Sequence, residues 1–278
     1  MLTNSLTISG NLRILLSQFK TILFELINVK KKITLYKMWN NKHFSKKKIV
    51  IIIADGSSFN KNIAKIILSK RKFLDIVAIN YYCLNNFSNN LIPDYYLLSD
   101  PENIKTNSPA TKKINKYLKN YISNSLIKFV APYGKRWEAY KRPYLQFNDS
   151  ENLKSNNIDP RYSRGYRSNT GFKAIAFTLA LKYSKIFIIG FDYDYPRKIF
   201  LDKKNKLYLQ DSHSYGSKNI DCSKLFDSVA HAMHWWSQDY WHLKKFASSK
   251  IKNVTNNSLI DVFDRISPTD FAKYIRDI

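Results

Sequence analysis

The stretch from Arg167 to Tyr195 constrains the fold more than any other part of the chain. It reads Arg-Ser-Asn-Thr-Gly, then an apolar-striped segment, then Lys-Ile-Phe-Ile-Ile, then Gly-Phe-Asp-Tyr-Asp-Tyr. Phe172, Ile175, Ala176, Leu179 and Ala180 recur at the spacing of one helix face. Ser168, Asn169 and Thr170 offer N-cap oxygens just before it. Ile186 to Ile189 is wholly apolar, which suits a strand covered on both faces. That strand stops at Gly190, and polar groups follow at once. Ligands of an open parallel sheet sit beyond the carboxyl ends of its strands. Asp192, Tyr193 and Tyr195 are therefore expected to face a ligand, and the Thr170-Gly171 helix start to offer N–H groups to an anion.

The same grammar recurs along the chain. Lys48 to Ala54 is a buried-strand run, Asp55-Gly56-Ser57-Ser58 a turn, and Ile63, Ile66 and Ile67 mark a helix. Further strands are expected over 75–80, 93–98, 126–131 and 251–254, and helices over 112–121, 223–247 and 268–278. Residues 132–166 read as irregular, and 195–222 as a polar, aromatic-bearing lid. Alternation of strands and helices predicts an α/β fold: a Rossmann-like, doubly wound, mostly parallel sheet with helices on both faces. The expected division is an N-terminal amphipathic helical extension over 1–45 and the Rossmann-like domain over 46–278.

Composition bears on partners. Forty-six Lys and Arg against 21 Asp and Glu give a net charge of +25, which favours anionic partners: nucleic acid, an anionic membrane surface, or phosphorylated and carboxylated small molecules. Abundant Lys, Asn, Ile and Tyr supply a compositional cause of equal weight. Cys83 and Cys222 have neither metal-ligand nor disulfide-framework spacing, as in a reducing, cytoplasmic setting. Apolar runs such as Ile49 to Ala54 are strand-sized, too short to span a membrane. Leu12, Leu16, Phe19, Leu23 and Leu26 lie in a helical pattern followed by Lys30, Lys31 and Lys32. This stripe suits packing on the chain's own domain or on a partner copy in a homo-oligomer. A peripheral seat on the inner membrane is the other reading.

No phosphate-loop pattern and no three-glycine dinucleotide fingerprint is present, and the chain holds only seven glycines. Asn80, Asp100 and Asp192 each stand at an expected strand end. His231 and His234 share a helix face, but no carboxylate or thiol spacing completes a metal set, so no metal is expected. A histidine at either position suits a general base, since imidazole takes a hydroxyl proton near neutral pH. Packing among Trp235, Trp236 and Trp241 is the competing role.

Taken together, Ala54, Asp55, Gly56 and Ser58, then Asn80-Tyr81, then Arg167, Thr170 and Gly171, then Gly190, Asp192 and Tyr193 resemble the bacterial lipooligosaccharide sialyltransferases, family forty-two of the glycosyltransferases. Asn257-Ser258-Leu259 resembles that family's segment after its last strand, and the patchy similarity spans about residues 48–263. The motility-associated flagellin glycosyltransferases share the Gly-x-Ser and Gly-x-Asp signals. The resemblance implies metal-independent, inverting transfer of a sialic or related nonulosonic acid from a CMP-sugar, bound as substrate with no cofactor, to a cell-surface glycan or glycolipid. It implies donor contacts from Asp55, Gly56, Ser58, Asn80, Arg167, Thr170, Gly171, Asp192 and Tyr193. It places the base at His231, with His234 and His213 as alternatives, and tyrosines such as Tyr195 and Tyr215 on the leaving phosphate. Two departures stand out: Asp55 replaces an Asn, and Asp194 stands where the family has its second tyrosine. The alternative, a nucleic-acid-binding protein, lacks a recognised motif, and the basic residues are spread along the chain.

Overall fold

Strand β1 (Ile49–Ile53) is the hub of an eight-stranded sheet. The computed structural model describes residues 29–42, 44, 46–100, 107–134, 143–213, 216–255 and 258–278, with 211–213 and 216–218 described by backbone alone. From β1 the chain steps outward through β2 (Leu74–Ile79), β3 (Tyr95–Leu97), β4 (Lys128–Pro132) and β5 (Leu145–Phe147). It then returns to the other side of β1 as β6 (Lys185–Ile189). Three strands leave the main sheet: β7 (Ile199–Leu201), β8 (Leu207–His213) and β9 (Gly216–Asp221) form a small antiparallel sheet. The main sheet resumes with β10 (Ile251–Asn253) and β11 (Asp264–Arg265). Every pairing in it is parallel. The fold is thus the Rossmann-like α/β architecture expected.

Alternate residues of each central strand feed different cores. Ile51, Ile53, Ile76, Ala78, Phe187 and Ile189 pack on one face; Val50, Ile52, Val77, Ile79, Ile186 and Ile188 pack on the other. This is why those strands read as unbroken apolar runs. The first face is covered by α2 (Lys61–Ser69), α3 (Pro109–Ser123) and the last helix, Pro268–Arg276. The second is covered by α4 (Thr170–Ala180), by Leu243 and Phe246, and by Trp39 of α1, the helix over residues 29–40. Trp39 donates its indole N–H to the Gln146 carbonyl at 2.8 Å, so α1 is seated on β5. The apolar stripe upstream, residues 12–28, lies outside the described residues.

Two further helices, α5 (Tyr195–Lys198) and α6 (Val229–Leu243), frame the small sheet, and Pro268–Arg276 becomes α7. Ser or Asn caps explain most helix starts among the described residues: Asn60, Ser108, Asn169, Ser228 and Ser267 each accept from a first-turn N–H. Two segments differ from expectation. The expected lid over 195–222 is built as α5 plus a three-stranded sheet, with Leu207, Leu209 and Cys222 facing Ala232 and Trp236 of α6. The irregular 132–166 region hides β5, a three-residue strand too short to register as a pattern. Residues 149–165 are tied by side chains. Lys245 donates to the Leu153 and Ser155 carbonyls at 3.3 and 2.9 Å and also to Gly165. Arg164 pairs with Asp149 at 3.2 Å and Glu151 at 2.7 Å.

Candidate functional site

The chain order reverses between β1 and β6, and at such a switch point the connections diverge and leave a crevice. Here the two strand ends touch. The Gly56 amide donates to the Gly190 carbonyl at 3.1 Å, and the Ala54 amide to Ile189 at 2.9 Å. A methyl group on Gly56 would stand 2.3 Å from the Gly190 oxygen, so only glycine fits. Gly190 itself has φ +76°, the left-handed region, and a methyl there would lie 2.7 Å from the Ala54 oxygen. The two glycines thus serve the apposition of the strand ends.

The crevice is partly open to solvent and holds a cavity of about 100 Å³. Its walls come from Asp55 and Gly56 after β1, Asn80 after β2, Asn169 and Gly171 at the start of α4, and Asp192 to Tyr195 after β6. Lys198 and Gln210 close it from α5 and β8. Of the residues named from the sequence, Asp55, Gly56, Asn80, Gly171, Asp192, Tyr193 and Tyr195 meet here.

Their hydrogen bonds divide the structural from the available groups. Asp192 accepts from the Ser57 amide at 2.8 Å, the Ser57 hydroxyl at 2.9 Å and the Ser58 hydroxyl at 2.6 Å. Its carboxylate and the Ser58 hydroxyl therefore fix the turn after β1. The Gly171 amide donates to Asn169 Oδ1 at 2.8 Å, so the cap occupies an N–H that sequence reasoning assigned to an anion. The Thr170 hydroxyl pairs with Ser99 at 2.6 Å. Asn80 differs: it has φ +48°, and its side-chain Oδ1 is buried with no hydrogen-bond partner among the described residues. A buried acceptor left unsatisfied costs roughly 1–3 kcal/mol and marks a place where a donor fits.

Tyr193 also adopts a left-handed backbone, at φ +49°. Its ring stacks on Phe172 at 5.9 Å. Its hydroxyl receives the Asn169 amide N–H and donates to Asp239 Oδ2 at 3.5 Å. Burial, then the Asp239 charge, hold the Tyr193 phenol well above its ordinary range. Burial likewise raises the Asp239 carboxyl, against the opposing pull of Arg167 3.9 Å away. Arg167 lies away from the crevice: its guanidinium stacks 3.7 Å over Trp235 and donates to the Trp235 carbonyl at 2.8 Å. It braces α6. Lys198, paired with Asp194 at 2.9 Å, is the one cationic residue lining the crevice among the described residues.

The histidines separate clearly. His231 Nδ1 lies 2.8 Å from Asp227 Oδ1, and its ring is half-exposed. It does not line the crevice, but a chain of rings links the two. His231 meets Phe226 at 5.5 Å, Phe226 meets Trp236 at 5.5 Å, and Trp236 stacks on Tyr195 at 5.5 Å. The His231 hydrogen bond to Asp227 also holds that carboxyl below its ordinary range. His234 is exposed and bonds Gln238 at 2.7 Å. His242 is partly buried beside Lys245 and Arg167, and burial followed by those charges lowers its pKa. Tyr215, Asn257 and the His213 side chain lie outside the described residues. Sequence reasoning missed Lys198, Gln210 and Asp227. Asp227 precedes the Ser228 N-cap of α6, so helical spacing in the sequence did not point to its contact with His231.

Among the described residues, no helix is long and apolar enough to cross a membrane. No family model matches the chain, and no curated protein matches it. Among solved structures it is similar to the MAf glycosyltransferase from Magnetospirillum magneticum AMB-1, with 11% identity and a TM-score of 0.49. That similarity covers 89% of this chain but 42% of the other, so this chain spans less than half the length of that protein.

Proposed function

We propose that the protein is a glycosyltransferase that takes its sugar, a sialic or related nonulosonic acid, from a CMP-activated donor and delivers it to a glycan or glycolipid hydroxyl. The observation that carries the reading is the meeting of four motif-bearing segments at one crevice: Asp55-Gly56, Asn80, Asn169 with Gly171, and Asp192 to Tyr195. In the sequence these segments are dispersed; at the switch point they line one crevice beyond the strand ends.

Within this reading, Asn80 Oδ1 takes a hydrogen bond from the nucleotide, which satisfies its buried acceptor. Asp55 suits ribose hydroxyls better than phosphate, because a carboxylate repels phosphate and accepts from O–H groups. Lys198 and Tyr195 face the phosphate as it gains charge, and such donors are the largest source of rate. Asp227 orients the imidazole: an Nδ1–H held by the carboxylate leaves Nε2 with its lone pair. Nε2 of His231 removes the acceptor hydroxyl proton as that oxygen bonds to the anomeric carbon. The carbon–oxygen bond to phosphate breaks, and its electron pair leaves with CMP. The Tyr195–Trp236–Phe226 rings set the direction in which the acceptor lies from the donor.

The test pairs calorimetric titration of the protein with CMP, AMP and UMP with mass spectrometry of CMP-activated nonulosonic acids incubated with it. Selective CMP binding and release of CMP from one donor are expected. Wild-type protein that neither binds CMP nor consumes any such donor overturns the reading.

A further inference from the structure

Helix α1 is seated on the domain through one side. Leu35 and Trp39 are buried, Met38 packs on the second core, and the Trp39 indole bonds the Gln146 carbonyl at 2.8 Å. Lys31 donates to the Ser150 hydroxyl at 2.9 Å, and Lys32 lies 4.5 Å over the Tyr162 ring. The other side carries Val29, Ile33 and Tyr36, which are exposed by 49%, 51% and 48%. These three recur at steps of four and three residues, so they fall within about 60° of one another. Their centre lies about 130° round the helix from that of Leu35, Met38 and Trp39. Tyr36 stands nearest the domain, with the Arg161 guanidinium 5.6 Å over its ring. Exposed Lys30 and Lys37 border the stripe on one edge, and exposed Lys32 borders it on the other.

The sequence carries the same stripe upstream. Leu12, Leu15, Phe19, Ile22 and Leu26 lead into Val29, Ile33 and Tyr36 by alternating steps of three and four, without a break. That is the heptad period of helices that wrap round one another, narrower than the 3.6-residue stripe of a helix lying on its own domain. No Gly or Pro stands between Leu12 and Asn40, so the sequence offers no turn by which the upstream part would fold back on α1. We propose that this seam joins α1 to the same seam on further copies of the chain, as a parallel coiled coil. Charge complementarity supports the occupant and the direction. In parallel register Glu25 of one chain meets Lys30 of the next, the two flanking positions that face each other across such a seam. Leu26 at one core position, with Ile22 and Val29 at the other, favours more than two strands. Each chain carries +25, so copies repel at long range and the apolar seam holds them more tightly as salt screens that charge. Adhesion to anionic lipid has the opposite salt dependence.

The test is sedimentation velocity of the full chain over about a hundredfold range of concentration, at low and high salt. Wild type should reach the mass of about two to four chains, more completely in high salt. Ile33→Ser/Tyr36→Ser should weaken association at least about tenfold, and so should Ile22→Ser/Leu26→Ser. A control, Leu68→Ser/Phe73→Ser, removes exposed apolar side chains elsewhere and should change association by about twofold or less. Glu25→Lys should weaken it about threefold, and Glu25→Lys/Lys30→Glu should restore it. Circular dichroism checks that the variants fold; Ile33→Ser alone replaces a seam variant that does not, with a loss of at least about threefold expected. Wild type that stays a single chain at every concentration overturns the proposal, as do seam variants that associate like wild type and a control that loses as much as they do. Failure of the charge exchange to restore association overturns the parallel pairing. A single chain that floats with phosphatidylglycerol vesicles through the same residues assigns the stripe to lipid and likewise overturns the proposal. None of these readouts depends on glycosyl transfer.

Discussion

The Ser58 hydroxyl donates to Asp192 Oδ1 at 2.6 Å across 134 residues of chain, so the turn that follows β1 is held from the end of β6. One carboxylate thereby couples the two strands that frame the crevice. Hydrogen bonds to a charged group contribute about 1.5–3 kcal/mol, while neutral ones contribute about 1. Asp192→Ala should lower the unfolding free energy by about 2 kcal/mol and Ser58→Ala by about 1 kcal/mol, read by urea denaturation. Because the bond is shared, the double variant should cost less than the sum of the two. Strict additivity would show that the contact carries no coupling.

Gly56→Ala tests the backbone apposition. The added carbon would lie 2.3 Å from the Gly190 oxygen, a backbone atom that cannot rotate aside. A loss of about 2–4 kcal/mol is expected, with weakened CMP binding in the fraction that stays folded. Ser57→Ala, which removes a hydroxyl at an exposed position, should cost at most about 1 kcal/mol.

His231→Ala should lower kcat by about 10²–10⁴-fold, the range for loss of a general base, and leave CMP affinity within about twofold. Asp227→Asn keeps the size of the side chain but alters the tautomer it stabilises, so it should lower kcat by about tenfold or more with little change in KM. Steady-state kinetics with a matched donor and acceptor distinguish the two. Wild-type turnover in His231→Ala would remove His231 from the chemistry.

Asp239 supplies a pH test. Burial raises its folded-state carboxyl above the ordinary value of 3.8. Between those two values the folded state binds more protons than the unfolded, so this group lowers stability as pH rises through that window. Asp239→Asn carries no such charge. The stability of the variant relative to wild type should therefore increase as pH rises from below 3.8 and then level off. Denaturation midpoints across the acid range measure it; a difference that is flat with pH would mean the carboxyl titrates normally.

Much of the site was legible because its residues lie at strand ends. Ile186 to Ile189 and Ile49 to Ile53 are apolar on both faces, which marks central parallel strands, and whatever follows such strands must gather at one edge. Asp55, Asn80 and Asp192 were placed at that edge in this way, and they line one crevice there. The β5 strand was not, since three residues carry no period. Nor was the small sheet, whose apolar side chains Leu207 and Leu209 are masked by the polar residues beside them.

Local pattern, then, determined the strands, most helix caps and the edge on which a ligand would bind, because those depend on apolar period and on side chains that bond their own neighbours. Tertiary structure alone decided which edge groups are engaged and which are open. Asp192 and Gly171 are satisfied by the protein, Arg167 is drawn onto Trp235, and Asn80 keeps a buried acceptor without a partner. These outcomes depend on distances between segments far apart in the chain, and a side chain's chemistry is set by what lies within hydrogen-bond reach.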